Sequence, residues 1–146
     1  MKFLSVVFLS FIVSSLSHAT TKEEMVDFVN SAKEFAVSAG KESALAEFSN
    51  KSGKFVQGEL YIFAYDFSGK VVAHGAKPAL VGRNLMAIKD TNGLQLIKEM
   101  VNVAANDGSG YVTYSWEHPQ KKKVMTKIGY VTKVRSYDHF WCMTKQ

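Results

Sequence analysis

The chain has 146 residues and a formal net charge of +5, from 18 Lys and Arg against 13 Asp and Glu, with a single cysteine. So mild a basic excess falls short of the dense basic face of a nucleic-acid binder, though it suits the attraction of small anions. One cysteine excludes an internal disulfide, so the fold must hold by packing alone.

Residues 1–19 read as an export signal. Lys2 is the charged start, Phe3 to Leu16 is an apolar stretch broken only by serines, and Ser17-His18-Ala19 fits the small-x-small pattern before a signal peptidase cut. The stretch is short and serine-rich for a membrane span, which disfavours an uncleaved anchor. Setting those 19 of the 146 residues aside leaves 127, residues 20–146, the size of one domain with a core of its own. The mature charge is +4, because the signal holds one Lys and no acid. No second run of spanning length follows, so the expectation is a soluble protein without a transmembrane anchor after cleavage, periplasmic or secreted.

Thr21-Lys22-Glu23-Glu24 has the form of a capping box, and Met25, Phe28, Val29, Ala32, Phe35, Ala36 and Ala39 follow at three- and four-residue spacings. This predicts a long amphipathic helix stopped at Gly40. Lys41 to Phe48 predicts a short second helix with Ala44, Leu45 and Phe48 inward, followed by a turn at Asn50-Lys51-Ser52-Gly53. Leu60 to Asp66 and Lys70 to His74 flank the turn residues Asp66-Phe67-Ser68-Gly69 and predict a β-hairpin. Along its first arm Tyr61, Phe63 and Tyr65 share one face, which is either core or the wall of a pocket.

Gly75-Ala76-Lys77-Pro78 takes the chain out of the sheet, because Pro78 cannot donate to a ladder. An excursion through Gly82-Arg83-Asn84-Leu85 closes at the turn Asp90-Thr91-Asn92-Gly93, and Leu94 to Ala105 is spaced as a helix. Tyr111 to Trp116, Val124 to Val134 and Tyr137 to Met143 are strand-like, with Val112, Tyr114 and Trp116 on one face and Met125, Lys127, Gly129 and Val131 on another. The order gives an α+β domain: a five-stranded antiparallel sheet, a long N-terminal helix on one face and short helices over the other.

Four series of residues then resemble the single Cache domain family of bacterial sensor modules. They are Gly40-Lys41-Glu42-Ser43-Ala44-Leu45-Ala46-Glu47; Leu60 to His74; Leu80-Val81-Gly82-Arg83-Asn84-Leu85 with Asp90-Thr91-Asn92-Gly93; and Gly110 to Trp116 with Lys127-Ile128-Gly129-Tyr130-Val131. The resemblance implies a PAS-like sheet and a pocket for a small organic acid of the acetate, propionate, lactate or pyruvate class. By position it implies ligand-binding roles for Tyr65, His74, Tyr114, Trp116 and Lys127. It also implies a sensor in signal transduction. Family members commonly end in a Trp-rich strand, Gly-x-Tyr and a membrane helix, whereas Trp141-Cys142-Met143-Thr144-Lys145-Gln146 stops short of one. The expectation is therefore a signal passed to a separate membrane receptor or kinase.

The residues themselves leave each role open. An unpaired Lys127 ammonium within an apolar strand would suffer a desolvation cost that a bound anion relieves, or it snorkels to the rim. Tyr114 and Trp116 offer an O–H and an indole N–H, or simply pack. His74 ends a strand as a donor to an acid or as a satisfied core residue. Arg83 reaches a ligand, holds the excursion to the sheet, or is solvated. The histidines stand apart without metal-ligand spacing, Gly108-Ser109-Gly110 is a turn rather than a nucleophile elbow, and Cys142 is a lone thiol near the end of a strand. Lys121-Lys122-Lys123 is a loop charge run. No enzyme activity, metal or cofactor is expected. The alternative is a protein-interaction module with no small-molecule ligand.

Overall fold

The structure, a computed structural model, describes residues 20–117, 122–134 and 139–145, with residues 117 and 139–145 described by backbone only. The export signal over 1–19, His118 and Lys121 of the loop, and the first two residues of the predicted last strand lie outside the described residues.

Helix α1 spans Lys22–Ala39 and begins with the predicted capping box. The Glu24 N–H donates to Thr21 Oγ1 at 3.1 Å while Glu24 Oε2 accepts from the Thr21 N–H at 2.7 Å, so two otherwise orphaned donors are satisfied. Its buried stripe is Met25, Phe28, Val29, Ala32 and Ala36. Gly40, at φ 83°, turns the chain directly into α2, Lys41–Phe48. Phe28, Phe35 and Phe48 close on Phe55 at ring separations of 5.9, 5.4 and 4.9 Å.

Strand β1 (Val56–Gln57) leads into β2 (Leu60–Asp66) and β3 (Val71–His74). The predicted turn between β2 and β3 is held by Asp66, whose Oδ1 accepts from the Ser68 N–H (2.9 Å), the Ser68 hydroxyl (2.6 Å) and the Lys70 N–H (3.0 Å). The hairpin carries a β-bulge. Phe63 faces His74 and Ala64 faces Ala73, but Tyr65 faces Val71, which leaves Val72 as the surplus residue.

After a 3-10 turn at Pro78–Leu80 the excursion ends in α3 (Leu96–Asn106), followed by β4 (Ser109–Glu117), β5 (Val124–Val134) and β6 (His139–Lys145). The antiparallel sheet has the order β1-β2-β6-β5-β4, with β3 also on β2. The Ile62 N–H donates to the Phe55 carbonyl (3.2 Å) and its carbonyl accepts from the Gly75 N–H (2.9 Å), so β1 and β3 lie on the same edge of β2. The five predicted strands are thus joined by a sixth of two residues, formed because the chain reverses at Gly58, φ 60°. Helix α3 starts at Leu96, not Leu94, because the Leu94 carbonyl accepts from the Asp90 N–H at 2.9 Å and Gln95 bridges to Lys89, so Leu94 stays out of the helical ladder and Gln95 is its cap.

The sheet separates two cores. On one face α1, α2 and the turn after them pack Met25, Val29, Phe48 and Phe55 against Ile62, Ala64, Ala73 and Val134. On the other, α3 packs Leu96, Ile97, Met100 and Ala104 against Phe63, Tyr65, Val71, Val112, Tyr114 and Val131. Strand β2 alternates between them, Ile62 and Ala64 one way, Phe63 and Tyr65 the other. Among the described residues no helix is long and apolar enough to cross a membrane.

Candidate functional site

On the α3 side the packing leaves a cavity of about 350 Å³ between the hairpin, the excursion and α3. Its floor is the aromatic face of β2, Tyr61, Phe63 and Tyr65, with His74 of β3, Tyr114 and Trp116 of β4 and Lys127 of β5. The excursion roofs it with Ala76, Lys77, Leu80, Arg83, Leu85 and Ile88, and α3 adds Leu96, Ile97 and Met100. All five residues singled out from the sequence, Tyr65, His74, Tyr114, Trp116 and Lys127, therefore line one cavity.

The roof is fastened at two places. The Arg83 carbonyl accepts from the Val71 N–H (2.9 Å), the Gly82 N–H donates back to the Val71 carbonyl (2.8 Å), and the Leu85 N–H donates to the Gly69 carbonyl (2.8 Å), so the excursion pairs with the outer edge of β3. Gly69 sits at φ 83°, and a Cβ there would come within 2.9 Å of Met86 Cβ, so the hairpin tip and the roof are in direct contact. At the far end Asp90 reaches β4: its Oδ2 accepts from the Ser115 N–H (2.9 Å) and its Oδ1 from the Asn92 and Leu94 N–H groups (2.9 Å each). These donors, Ser115 foremost, hold the Asp90 carboxyl below its ordinary value of 3.8.

His74 is placed by the bulge. It is 7% exposed and stacks on the rings of Tyr61 and Phe63 at 5.4 and 5.6 Å. Its Nδ1 accepts from the Lys77 N–H at 3.0 Å, so the neutral ring carries its proton on Nε2. Burial, with the charges of Lys77 and Lys127 adding to it, lowers its pKa to about 4, so the ring is neutral at physiological pH.

Lys127 stands directly across from Tyr114 in the β4–β5 ladder, with Trp116 one step further along the same face. It is 9% exposed. Burial foremost, and Lys77 after it, push its ammonium below the usual range, and Glu59 offsets this only in part. Among the described residues no carboxylate lies within ion-pair distance of Lys127, Lys77 or Arg83, and none lines the cavity. The site is thus a cavity with ring and hydroxyl groups on its floor, a roof of apolar side chains carrying Lys77 and Arg83, and three cations with no carboxylate in its lining, a composition suited to an anion.

Sequence reasoning did not single out Lys77, which lies between the chain-breaking Gly75 and Pro78 and roofs the cavity, with its Nζ 6.0 Å from the Trp116 ring. Arg83, for which fastening, solvation and ligand contact were all open, fastens the roof through its backbone and lines the cavity. The Lys122 and Lys123 side chains are exposed. Cys142 is described by backbone only, opposite Phe63 of β2 and Val131 of β5.

The chain matches the family model described as a Cache domain over residues 15–143. It is 32% identical to the methyl-accepting chemotaxis protein McpP of Pseudomonas putida over 71 residues, which is 49% of this chain and 13% of that protein. The chain therefore corresponds to a small part of that receptor. Among solved structures it is similar to a methyl-accepting chemotaxis protein of Vibrio parahaemolyticus, with a TM-score of 0.66 and 28% identity over 84% of this chain and 83% of that one. A structure described as the basis for carboxylic acid recognition by a Cache chemosensory domain shares the fold, with a TM-score of 0.63 and 21% identity over 84% and 85% of the two chains.

Proposed function

The chain belongs to the Cache domain family, and from that premise we propose that it is an exported sensor domain whose cavity binds a small organic acid and reports its occupancy to a membrane receptor or kinase partner. The observation that carries the reading is Lys127, a buried ammonium without an ion-pair partner among the described residues, facing a cavity that no carboxylate lines. An ammonium in that position gains from a bound carboxylate what it lost on leaving water. Tyr114 beside it, Tyr65, Trp116 and His74, whose Nε2 carries the ring proton, line the same cavity. The Cache domain described as recognising a carboxylic acid shares only the fold with this chain, at 21% identity, and it agrees with this assignment without deciding it.

The acetate, propionate, lactate and pyruvate class suits a modest binder. At a ceiling of about 1.5 kcal/mol per heavy atom, an acid of about six heavy atoms gains at most about 9 kcal/mol, roughly micromolar. A charge-assisted hydrogen bond contributes ~1.5–3 kcal/mol of that, so losing Lys127 weakens binding about ten- to a hundredfold. Calorimetric titration and thermal shift with C2 to C4 acids, on the wild type and on Lys127→Ala, test the reading. We expect a shift in the wild type that is lost in the variant; no shift with any acid at millimolar concentration would end it. The rival reading, an interaction module whose pocket is closed by its own aromatics, is disfavoured by the open cavity above Tyr61, Phe63 and Tyr65.

A further inference from the structure

We infer that His74 is a proton-operated latch for the first stretch of the roof: its neutral ring holds residues 76–81 to the hairpin, and a proton taken up on Nδ1 releases them, which makes the proton a second input to the domain. The first ground is the hydrogen bonding of that stretch. Gly75 is fixed to the sheet, since its N–H donates to the Ile62 carbonyl at 2.9 Å and a Cβ there would come within 3.2 Å of both the Ile62 and the Phe48 carbonyl oxygens. The chain returns to the hairpin at Gly82, whose N–H donates to the Val71 carbonyl at 2.8 Å. Between those points the Leu80 and Val81 N–H groups donate within the segment, to the Lys77 and Pro78 carbonyls at 3.0 Å each, and Pro78 has no N–H to give. Among the described residues, the hydrogen bond that ties 76–81 to the hairpin is the one from the Lys77 N–H to His74 Nδ1, at 3.0 Å. An imidazole nitrogen accepts such a bond through a lone pair, which the protonated ring no longer has.

The second ground is that the surroundings disfavour a charged ring while the segment is in place. The titratable groups around it are Tyr61 and Tyr65 of β2, Tyr114 of β4, Lys127 of β5, and Lys77 and Arg83 of the roof; α3 lines the cavity with apolar side chains. From the end of α2 only a hydroxyl reaches it, Ser49 Oγ, 3.4 Å from the His74 backbone N–H. No carboxylate lines the cavity, and Glu59 acts on Lys127. Burial first, then Lys77 and Lys127, hold the ring near pKa 4, whereas a ring released into water returns toward 6.5. The open form therefore takes up a proton more readily than the closed one, and acid draws the segment open. Those two values raise the open fraction about twentyfold between pH 7 and pH 5.

The test is amide hydrogen exchange read by NMR on the protein with no ligand added, at pH 7 and pH 5, each rate corrected for the intrinsic pH dependence of exchange. In the wild type the Lys77 amide should exchange at least about tenfold faster than the core amides of α1 at both pH values, the mark of a local opening, and its protection should fall about twentyfold from pH 7 to pH 5. In His74→Gln, whose amide oxygen accepts equally at both pH values, that fall should vanish. Lys77 exchange no faster than that of the α1 core, constant protection in the wild type, or a fall that persists in His74→Gln overturns the inference. Nitrogen-15 spectra of the wild-type ring decide it even if the variant does not fold. We expect a bare Nδ1 and a protonated Nε2 at pH 7, with Nδ1 gaining its proton as the Lys77 amide signal shifts. A proton on Nδ1 at pH 7, or a ring that titrates without moving the Lys77 amide, overturns it as well.

Discussion

His74 ties the acid–base behaviour of this protein to the geometry of its pocket. The ring is buried against Tyr61 and Phe63, its pKa stands at about 4 against an ordinary 6.5, and Nδ1 accepts from the Lys77 amide of the roof segment. In the unfolded chain the ring takes up a proton below about pH 6.5, whereas in the fold it does so only near pH 4. Between those values the unfolded state binds more protons, so stability rises with pH across the window and is lost on acidification through it. At about 1.4 kcal/mol per unit the loss amounts to about 3 kcal/mol. Urea melts at about pH 7 and about pH 4.5 should differ by most of that amount in the wild type and much less in His74→Gln; the same difference in both proteins would assign the acid sensitivity elsewhere. The identity of His74 as a pocket residue followed from family position. Strict alternation from Val71 would have turned its side chain toward the helix-side core, and only the bulge brings it back.

At the scale of elements, local signals were readable and distant ones were not. The capping box of α1, the stop at Gly40 and the Asp66 turn are all settled within four residues of chain, and all are where the sequence puts them. Asp90 was recognisable as a turn residue, but not that its carboxylate spans 25 residues to cap the edge of β4 at Ser115, since such a partner is set by topology. That clamp holds one end of the roof and blunts an exposed sheet edge. Because its folded pKa is depressed, the clamp's contribution is present above the unfolded value of 3.8 and is lost as pH falls below it. Replacing it, as Asp90→Ala, should speed amide hydrogen exchange across residues 84–95 by about tenfold at neutral pH with α1 unaffected. Unchanged exchange there would mean that the β3 edge alone secures the roof.

For the molecule as a whole, the division into a helix-side core and a pocket-side core was legible from the period-two pattern of β2 and the period-3.6 pattern of α1. What the sequence left open was whether the three aromatics of β2 are packed over or face empty space, because that depends on how high the excursion rides above the sheet. The fold leaves the space. The two cores should therefore fail separately. Truncating the fully buried Phe48, as Phe48→Ala, should cost ~3–5 kcal/mol of stability while anion affinity stays within about twofold once the protein is folded. Denaturant melts paired with calorimetry check both halves, and a parallel collapse of affinity would show the layers to be coupled.

The surplus residue Val72 also bears on how freely this hairpin could vary. Because one extra position is absorbed between the tip and His74, the tip can be repacked against Met86 without passing that change down the strand. The bulge works as a slip joint: slack is taken up on the side of Val72 and Ala73, which face the helices, while His74 stays in phase with Phe63. Roof attachment and the cavity-lining His74 sit on the same short strand, yet the joint lets either be retuned without resetting the other.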